Sequence, residues 1–339
     1  MYSKTRFRLA GCAMAALSLG VMSGCTLEKK DDAGEFREAV PQSQSIALSG
    51  PDASSSGSTA AAGPSQRTLA TGPSTPYAKW YGFTRDMRDG VNAITGAVLG
   101  SVWLVVQTTP TSVSADSATW GPWDDDQLSP ARYRIRVTRV ALDEYDYVFE
   151  GHNRASTVDT DYQTVLTGHG YGKPHAKHGQ GTFTIDLDVA KALDPYKHQG
   201  KDDSGKVTVT HVLPHEFSES FGALPRTITA AVTPAGEAHY TVESQANTDH
   251  TGAIHVDAHV DIDERKNTKL EDVVIDSRWA ASGAGRANIA IAGGDLPATI
   301  PIVNAVECWG TDFMQSYYTD SVSFAPTTGD VNACVYGDQ

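Results

Sequence analysis

The feature that most constrains this fold is an alternation of apolar and polar residues with a period of two, recurring between residues 131 and 292. Tyr133, Ile135 and Val137 alternate with Arg132, Arg134 and Arg136. Successive side chains of a strand point to opposite faces, so this spacing predicts strands with one buried face and one wet face. Similar runs follow at 145–149, 182–189, 207–212, 227–233, 239–244, 254–262, 273–279 and 287–292. No helical pattern is regularly interposed, so the strands should pair as an antiparallel meander and not as βαβ units. The expectation is a mainly β fold, either a curved sheet or open barrel or else a sandwich.

One helical stripe precedes the strands. Phe83, Met87, Val91, Ile94, Val98 and Val102 recur at intervals of three and four, which predicts a helix over about 80–102 packed on the sheet. Charges vanish from Gly90 to Ala115. The uncharged core 91–106 is 16 residues long, short of the ~20 that span a bilayer. Gly96 and Gly100 have the GxxxG form of packed transmembrane helices, so a second membrane element is the alternative. The preferred reading is a helix buried against the sheet, its glycines allowing close approach, with 103–106 also compatible with a strand.

At the N-terminus Lys4, Arg6 and Arg8 precede an apolar run, 9–22, that ends in small residues and a cysteine, the pattern of a signal peptide. Met22-Ser23-Gly24-Cys25 resembles the lipobox of bacterial lipoproteins, with Met22 where that pattern prefers Leu. The resemblance implies that residues 1–24 are removed and that Cys25, carrying palmitate-type acyl chains, becomes the first residue of the mature chain. Thr26 stands where an Asp would retain such a protein at the inner membrane, so the resemblance implies the outer membrane. Loss of 1–24 removes three bases and no acids, leaving 24 bases against 41 acids, or −17. So acidic a chain repels anionic headgroups, which leaves the anchoring to the acyl chains. It also lacks the basic stripe that nucleic-acid binding requires.

Residues 25–76 are rich in Ser, Ala, Gly, Thr, Pro and Gln. Such a composition buries too little apolar area to offset its ordering entropy, so the segment is expected to be a flexible tether of roughly 40 Å r.m.s. span. Docking of Ile46 and Leu48 on the domain as a strand is the alternative. Residues 77–339 are then one β-rich domain. Cys12 leaves with the signal and Cys25 carries lipid, so Cys308 and Cys334 remain as an even pair in an oxidising compartment. A bridge between them closes a loop of about 27 residues and contributes ~3–4 kcal/mol in the chain-entropy account. The rival, a two-cysteine metal site, lacks a CxxC or a histidine nearby in sequence.

Motifs for catalysis fail on their chemistry. The GxxxxGK skeleton at 200–206 is followed by Val207 in place of the magnesium-binding Ser or Thr, and Asp202 and Asp203 would repel phosphate. Pro214 breaks the helix that His211 and His215 would need to form a zinc-peptidase pair. No GxSxG elbow is present. No catalytic residue and no cofactor are therefore assigned.

Three polar groupings remain. In 254–261 the apolar residues are all even-numbered, so His255, Asp257, His259 and Asp261 share the opposite face. A neighbouring strand in suitable register brings His239 opposite Asp257, which makes His239, Asp257 and either His255 or His259 the candidate metal ligands. Both of the latter cannot bind one ion, because they stand ~13–14 Å apart along a strand. The plainer reading is a solvated face. His169, His175 and His178 form a second cluster, in a glycine-rich connection able to catch a transition metal. Trp120 and Trp123 beside Asp124 offer a mixture that suits a glycan, against the commoner use of Trp to cap a core. Two functional classes follow. The first is a lipid-anchored envelope protein with a non-catalytic binding or structural role toward a protein, glycan or apolar ligand. The second is an envelope hydrolase or metal-binding protein whose site is assembled from dispersed His and Asp. A cavity lined by Tyr145, Tyr147 and Phe149 would favour the first, and converging His and acidic groups the second.

Overall fold

The structure, a computed structural model, describes residues 33–51, 77–124, 129–198, 204–262 and 269–337. The expected signal peptide, residues 1–24, and Cys25 and Thr26 lie outside the described residues. A short helix α1 (Gly34–Glu38) and a long helix α2 (Lys79–Val106) precede β1 (Ser112–Val113), β2 (Ser117–Asp124), β3 (Ala131–Ala141), β4 (Glu144–Asn153), β5 (Gln163–His175) and β6 (His178–Asp186). Helix α3 (Leu187–Leu193) leads to β7 (Lys206–Val212), β8 (Arg226–Thr233), β9 (His239–Ala246), β10 (Gly252–Val260), β11 (Glu271–Trp279), β12 (Gly285–Gly293), β13 (Ile302–Trp309), β14 (Gln315–Asp320) and β15 (Thr328–Gly329). The strands form an open antiparallel sheet in which each neighbours its successor in sequence, from β1 to β15. The fold is thus mainly β, as the alternation predicts. It is organised as two compact units, one from the chain up to Leu48 with Asp89–Glu243, the other from Ser49–Arg88 with Ser244–Gln339.

Two element boundaries differ from the sequence expectation. The run 182–189 does not stay extended, because the Asp186 side chain accepts the Val189 N–H at 3.1 Å and caps α3. Helix α2 continues through Val106, so 103–106 is helical. It is long and apolar enough to cross a membrane on length and composition alone. Yet Met87, Val91, Val98, Leu99, Val102 and Val106 are buried within the protein, and they recur at the three-and-four spacing of a helix face. Gly96 and Gly100 lie off that face, where an added Cβ would meet nothing within 4 Å. They do not serve close approach.

The tether expected over 25–76 is folded across 33–51. In the first unit Phe36, Val40, Ile46 and Leu48 are buried. Phe36 meets the Tyr145 ring edge-on at 6.0 Å, and Arg37 donates to the carbonyls of Val106 at 2.6 Å and Thr108 at 2.9 Å. Leu48 exchanges two hydrogen bonds with the Asn92 side chain. Arg226 donates to the carbonyls of Gln44 and Ser45, and burial pushes its pKa down to about 10. These four apolar anchors among small polar residues are few for a composition argument, but enough for docking once backbone partners exist. Ile46 and Leu48 do dock, as irregular chain and not as a strand. In the second unit Ser49 exchanges hydrogen bonds with Ser244, and Tyr81 donates to the Pro51 carbonyl.

Cross-strand glycines admit several of the buried rings. Tyr133 stands opposite Gly151, Tyr147 opposite Gly168 and His211 opposite Gly181 in the first unit. In the second, Gly252, Trp279, Gly285 and Trp309 follow one another across four strands. At each of these glycines a Cβ would fall within 3 Å of the facing ring. The ring therefore lies over the bare backbone of its neighbour, which covers backbone that glycine leaves exposed. Cys308 and Cys334 form the expected disulfide and tie the C-terminal tail to β13.

On β10, Ile254, Val256, Ala258 and Val260 are buried, while His255 and Asp257 are exposed and His259 is half-buried. Ile262, expected on the buried face, is half-buried just beyond the strand. Val256→Asp is expected to cost about 4 kcal/mol or more, because it buries an unpaired carboxylate, whereas Asp257→Ala should stay within about 0.5 kcal/mol. Urea unfolding of the two variants checks the asymmetry.

Candidate functional site

In the first unit the connections β1–β2, β3–β4, β5–β6 and β7–β8 all fall at one end of the sheet, a consequence of strictly antiparallel neighbours. A half-open pocket of ≈ 460 Å³ lies at this end, lined by Asp143, Gly172, His178, His215, Glu216 and Phe217. Asp143, in the β3–β4 turn, and Gly172, where the β5–β6 register shifts, hold positive φ, +56° and +72°. His175 and His178, flanking the two-residue turn between β5 and β6, stack their rings in parallel with centroids 4.5 Å apart. His175 Nε2 lies 2.9 Å from Glu38 Oε2, and the Ala176 N–H donates to the same oxygen at 3.3 Å. Lys177 Nζ sits 4.9 Å from the centre of the Phe217 ring, whose other near neighbour is His175 at 6.4 Å.

Burial, with His175 and His215 nearby, holds the His178 imidazole below the usual histidine range against the pull of Glu38. Its Nδ1 has no hydrogen-bond partner among the described residues. The pocket thus offers an imidazole whose protonation is disfavoured, a second imidazole at His215, two carboxylates and one aromatic face. That set can hydrogen-bond a polar group while an apolar part of the same ligand covers Phe217. The parallel stack of His175 and His178 does not let both rings aim their nitrogens at one ion. Among the described residues no group of three or more His, Cys, Asp or Glu is arranged to hold a metal.

The metal candidates proposed from the strand pattern are spread over separate pairs. His255 Nδ1 bonds Asp276 and His259 Nδ1 bonds Asp272, each at 2.7 Å, across the β10–β11 register. Asp257 stands opposite Val274, and the His239 ring bonds the Glu237 carbonyl. His169 forms the same kind of pair with Asp146, at 2.7 Å, away from His175 and His178. The three His–Asp contacts are cross-strand pairs on the wet face.

Trp120 and Trp123 do not form one sugar platform. Trp120 is 1% exposed and donates its Nε1–H to the Thr108 carbonyl. Trp123 stacks on Phe149 at 6.2 Å beside Tyr133, and Asp124 is bound by Arg132 and Arg154, with the Arg132 guanidinium holding its carboxyl below the usual range. The space under Tyr145 and Tyr147 is filled by Phe36 and by the backbone of Gly168. His215, Glu216 and Phe217 received no site assignment from the sequence, because Pro214 removed His215 from a helical pair and a loop carries no periodicity. Comparison with protein-family models, with curated proteins and with solved structures finds no match for this chain.

Proposed function

We propose that this chain is a lipid-anchored protein of the bacterial cell envelope, held at the outer membrane through acylated Cys25, with a binding and not a catalytic role. The observation that carries the binding part is the pocket at the hairpin ends, where an aromatic face stands beside imidazoles and carboxylates. Its size is that of a small-ligand site. The ligand class that fits is a small molecule with hydrogen-bonding groups at one end and an apolar or ring face at the other.

Anchoring is tested by growth with an alkyne analogue of palmitate. The wild-type chain is expected to take up the label and Cys25→Ala to take up none; an unlabelled wild-type chain removes the anchor reading. Binding is tested by adding the low-mass fraction of an envelope extract to purified protein. A ligand at 100 times its Kd stabilises by about 2.7 kcal/mol, so the thermal midpoint should rise, and Phe217→Ala should abolish the rise. An equal rise in Phe217→Ala would place the ligand elsewhere.

A further inference from the structure

We infer that the end of the first unit carrying α1 and the hairpin tips lies against the lipid headgroups of the bilayer and inserts apolar side chains there. This rests on the reading of Cys25 as the acylated residue. Ala33, where the described chain begins, follows Cys25 by only eight positions. A fully extended chain of eight residues spans at most about 28 Å, so the acyl anchor cannot lie farther than that from α1.

Helix α1 is fixed at one end of the unit. Glu35 accepts from Tyr145 at 3.1 Å and pairs with Arg139, both beside the β3–β4 turn. Glu38 holds the β5–β6 turn through Ala176 and His175. Arg37 holds the last turn of α2. The anchor point and these tips therefore share one end.

That end is also where the unit leaves its apolar side chains exposed. Leu104, Val140, Leu142, Tyr171 and Phe221 are exposed there, Leu142 at 88%. They stand on the last turn of α2, on the β3–β4 and β5–β6 hairpins and on the β7–β8 connection. The opposite end exposes Val158 and Tyr196 among the described residues. Leucine, phenylalanine and tyrosine at loop tips suit the headgroup boundary, where an apolar body and a polar tip are both accommodated. The net charge of −17 that remains once residues 1–24 are removed disfavours anionic lipid, so the surface it fits is a zwitterionic one.

The test uses the full-length, membrane-extracted protein, whose remaining cysteines, Cys308 and Cys334, are bridged. Leu142→Cys and, in a separate protein, Tyr196→Cys carry a nitrobenzoxadiazole dye, and each protein is reconstituted in phosphatidylcholine vesicles containing lipid brominated near the headgroup. Phe221→Cys serves as a second reporter at the tip end. Quenching at 142 and 221 is expected to exceed that at 196 by at least threefold, with blue-shifted emission. Equal quenching at both ends, or none, in a protein whose mass shows acyl chains on Cys25 overturns the docking and leaves the anchor standing. Blue-shifted emission at 142 without quenching means that a second copy or another protein covers the tips, and this too overturns it. A Cys25 found unmodified by mass overturns both readings.

Discussion

Glu307→Ala is expected to lower the unfolding free energy by about 3 kcal/mol at pH 7, seen as a fall of roughly 6–12 °C in the thermal midpoint. Glu307 lies on β13, is 0% exposed, and belongs to the second unit with the start of α2. Its Oε1 accepts the Lys79 N–H at 2.7 Å, and its Oε2 accepts those of Trp80 at 2.7 Å and Tyr81 at 3.0 Å. The first amides of a helix have no partner within it, and a carboxylate also answers the positive end of the helix dipole. Alanine leaves the Trp80 and Tyr81 donors buried and unpaired. Burial raises the Glu307 pKa from an ordinary 4.5 to about 7, although the three amides pull it down. Because the folded value is the higher, this group's contribution is full below pH 4.5 and is lost as pH rises through about 7, an effect of up to ~3 kcal/mol. Glu307→Gln should remove that slope. Denaturant unfolding at pH 5 and pH 8 measures it, and parallel pH profiles for wild type and Glu307→Gln would refute the assignment.

Gly285→Ala is expected to cost about 3–4 kcal/mol although it adds a single methyl group. The new carbon would sit 2.3 Å from Trp309 Cζ2 and 2.4 Å from the Arg278 carbonyl oxygen. The indole cannot swing away easily, since its Nε1 donates to the Gly283 carbonyl at 3.0 Å and its ring packs on Tyr81. The carbonyl belongs to the β11–β12 ladder. Gly96→Ala is the control. Nothing lies within 4 Å of its added carbon, and a glycine in a helix interior is worth roughly 0.5–1 kcal/mol less than alanine, so this variant should be neutral or more stable. Similar losses at the two glycines would show that ring coverage is not what fixes Gly285.

The sheet was legible where one face is buried and the other wet. On β10 the even-numbered residues Ile254 to Val260 state both the strand and its faces, because a slip of one residue would bury His255 and Asp257. The helix was legible by the same logic at a period near 3.6. Its C-terminal extension was not, since Trp103, Leu104, Val105 and Val106 are equally apolar in either conformation. Residues 33–48 were misread because their docking depends on backbone and side-chain partners, among them Asn92, Val106, Ala176 and Arg226, supplied from far along the chain. Composition carries no record of such partners. The pocket was hidden for a related reason. Asp143, Gly172, His178 and His215 sit on three separate connections, and only the parity of an antiparallel order brings those to one end. The disulfide needed no such geometry, being what remained once Cys12 and Cys25 were assigned elsewhere.

The unbroken order of the strands also bears on how the chain finds its fold. Because each strand neighbours the next in sequence, a polypeptide delivered N-terminus first can pair every arriving strand with the one just laid down, and no early strand must wait for a late one. Loops closed in that way are short, so the entropy lost before each pairing is rewarded stays small for so large a sheet. Throughout growth one edge is β1 and the other is the newest strand. Among the described residues the sheet ends in two strands of only two residues, β1 and β15, each too short to template a further strand along its length.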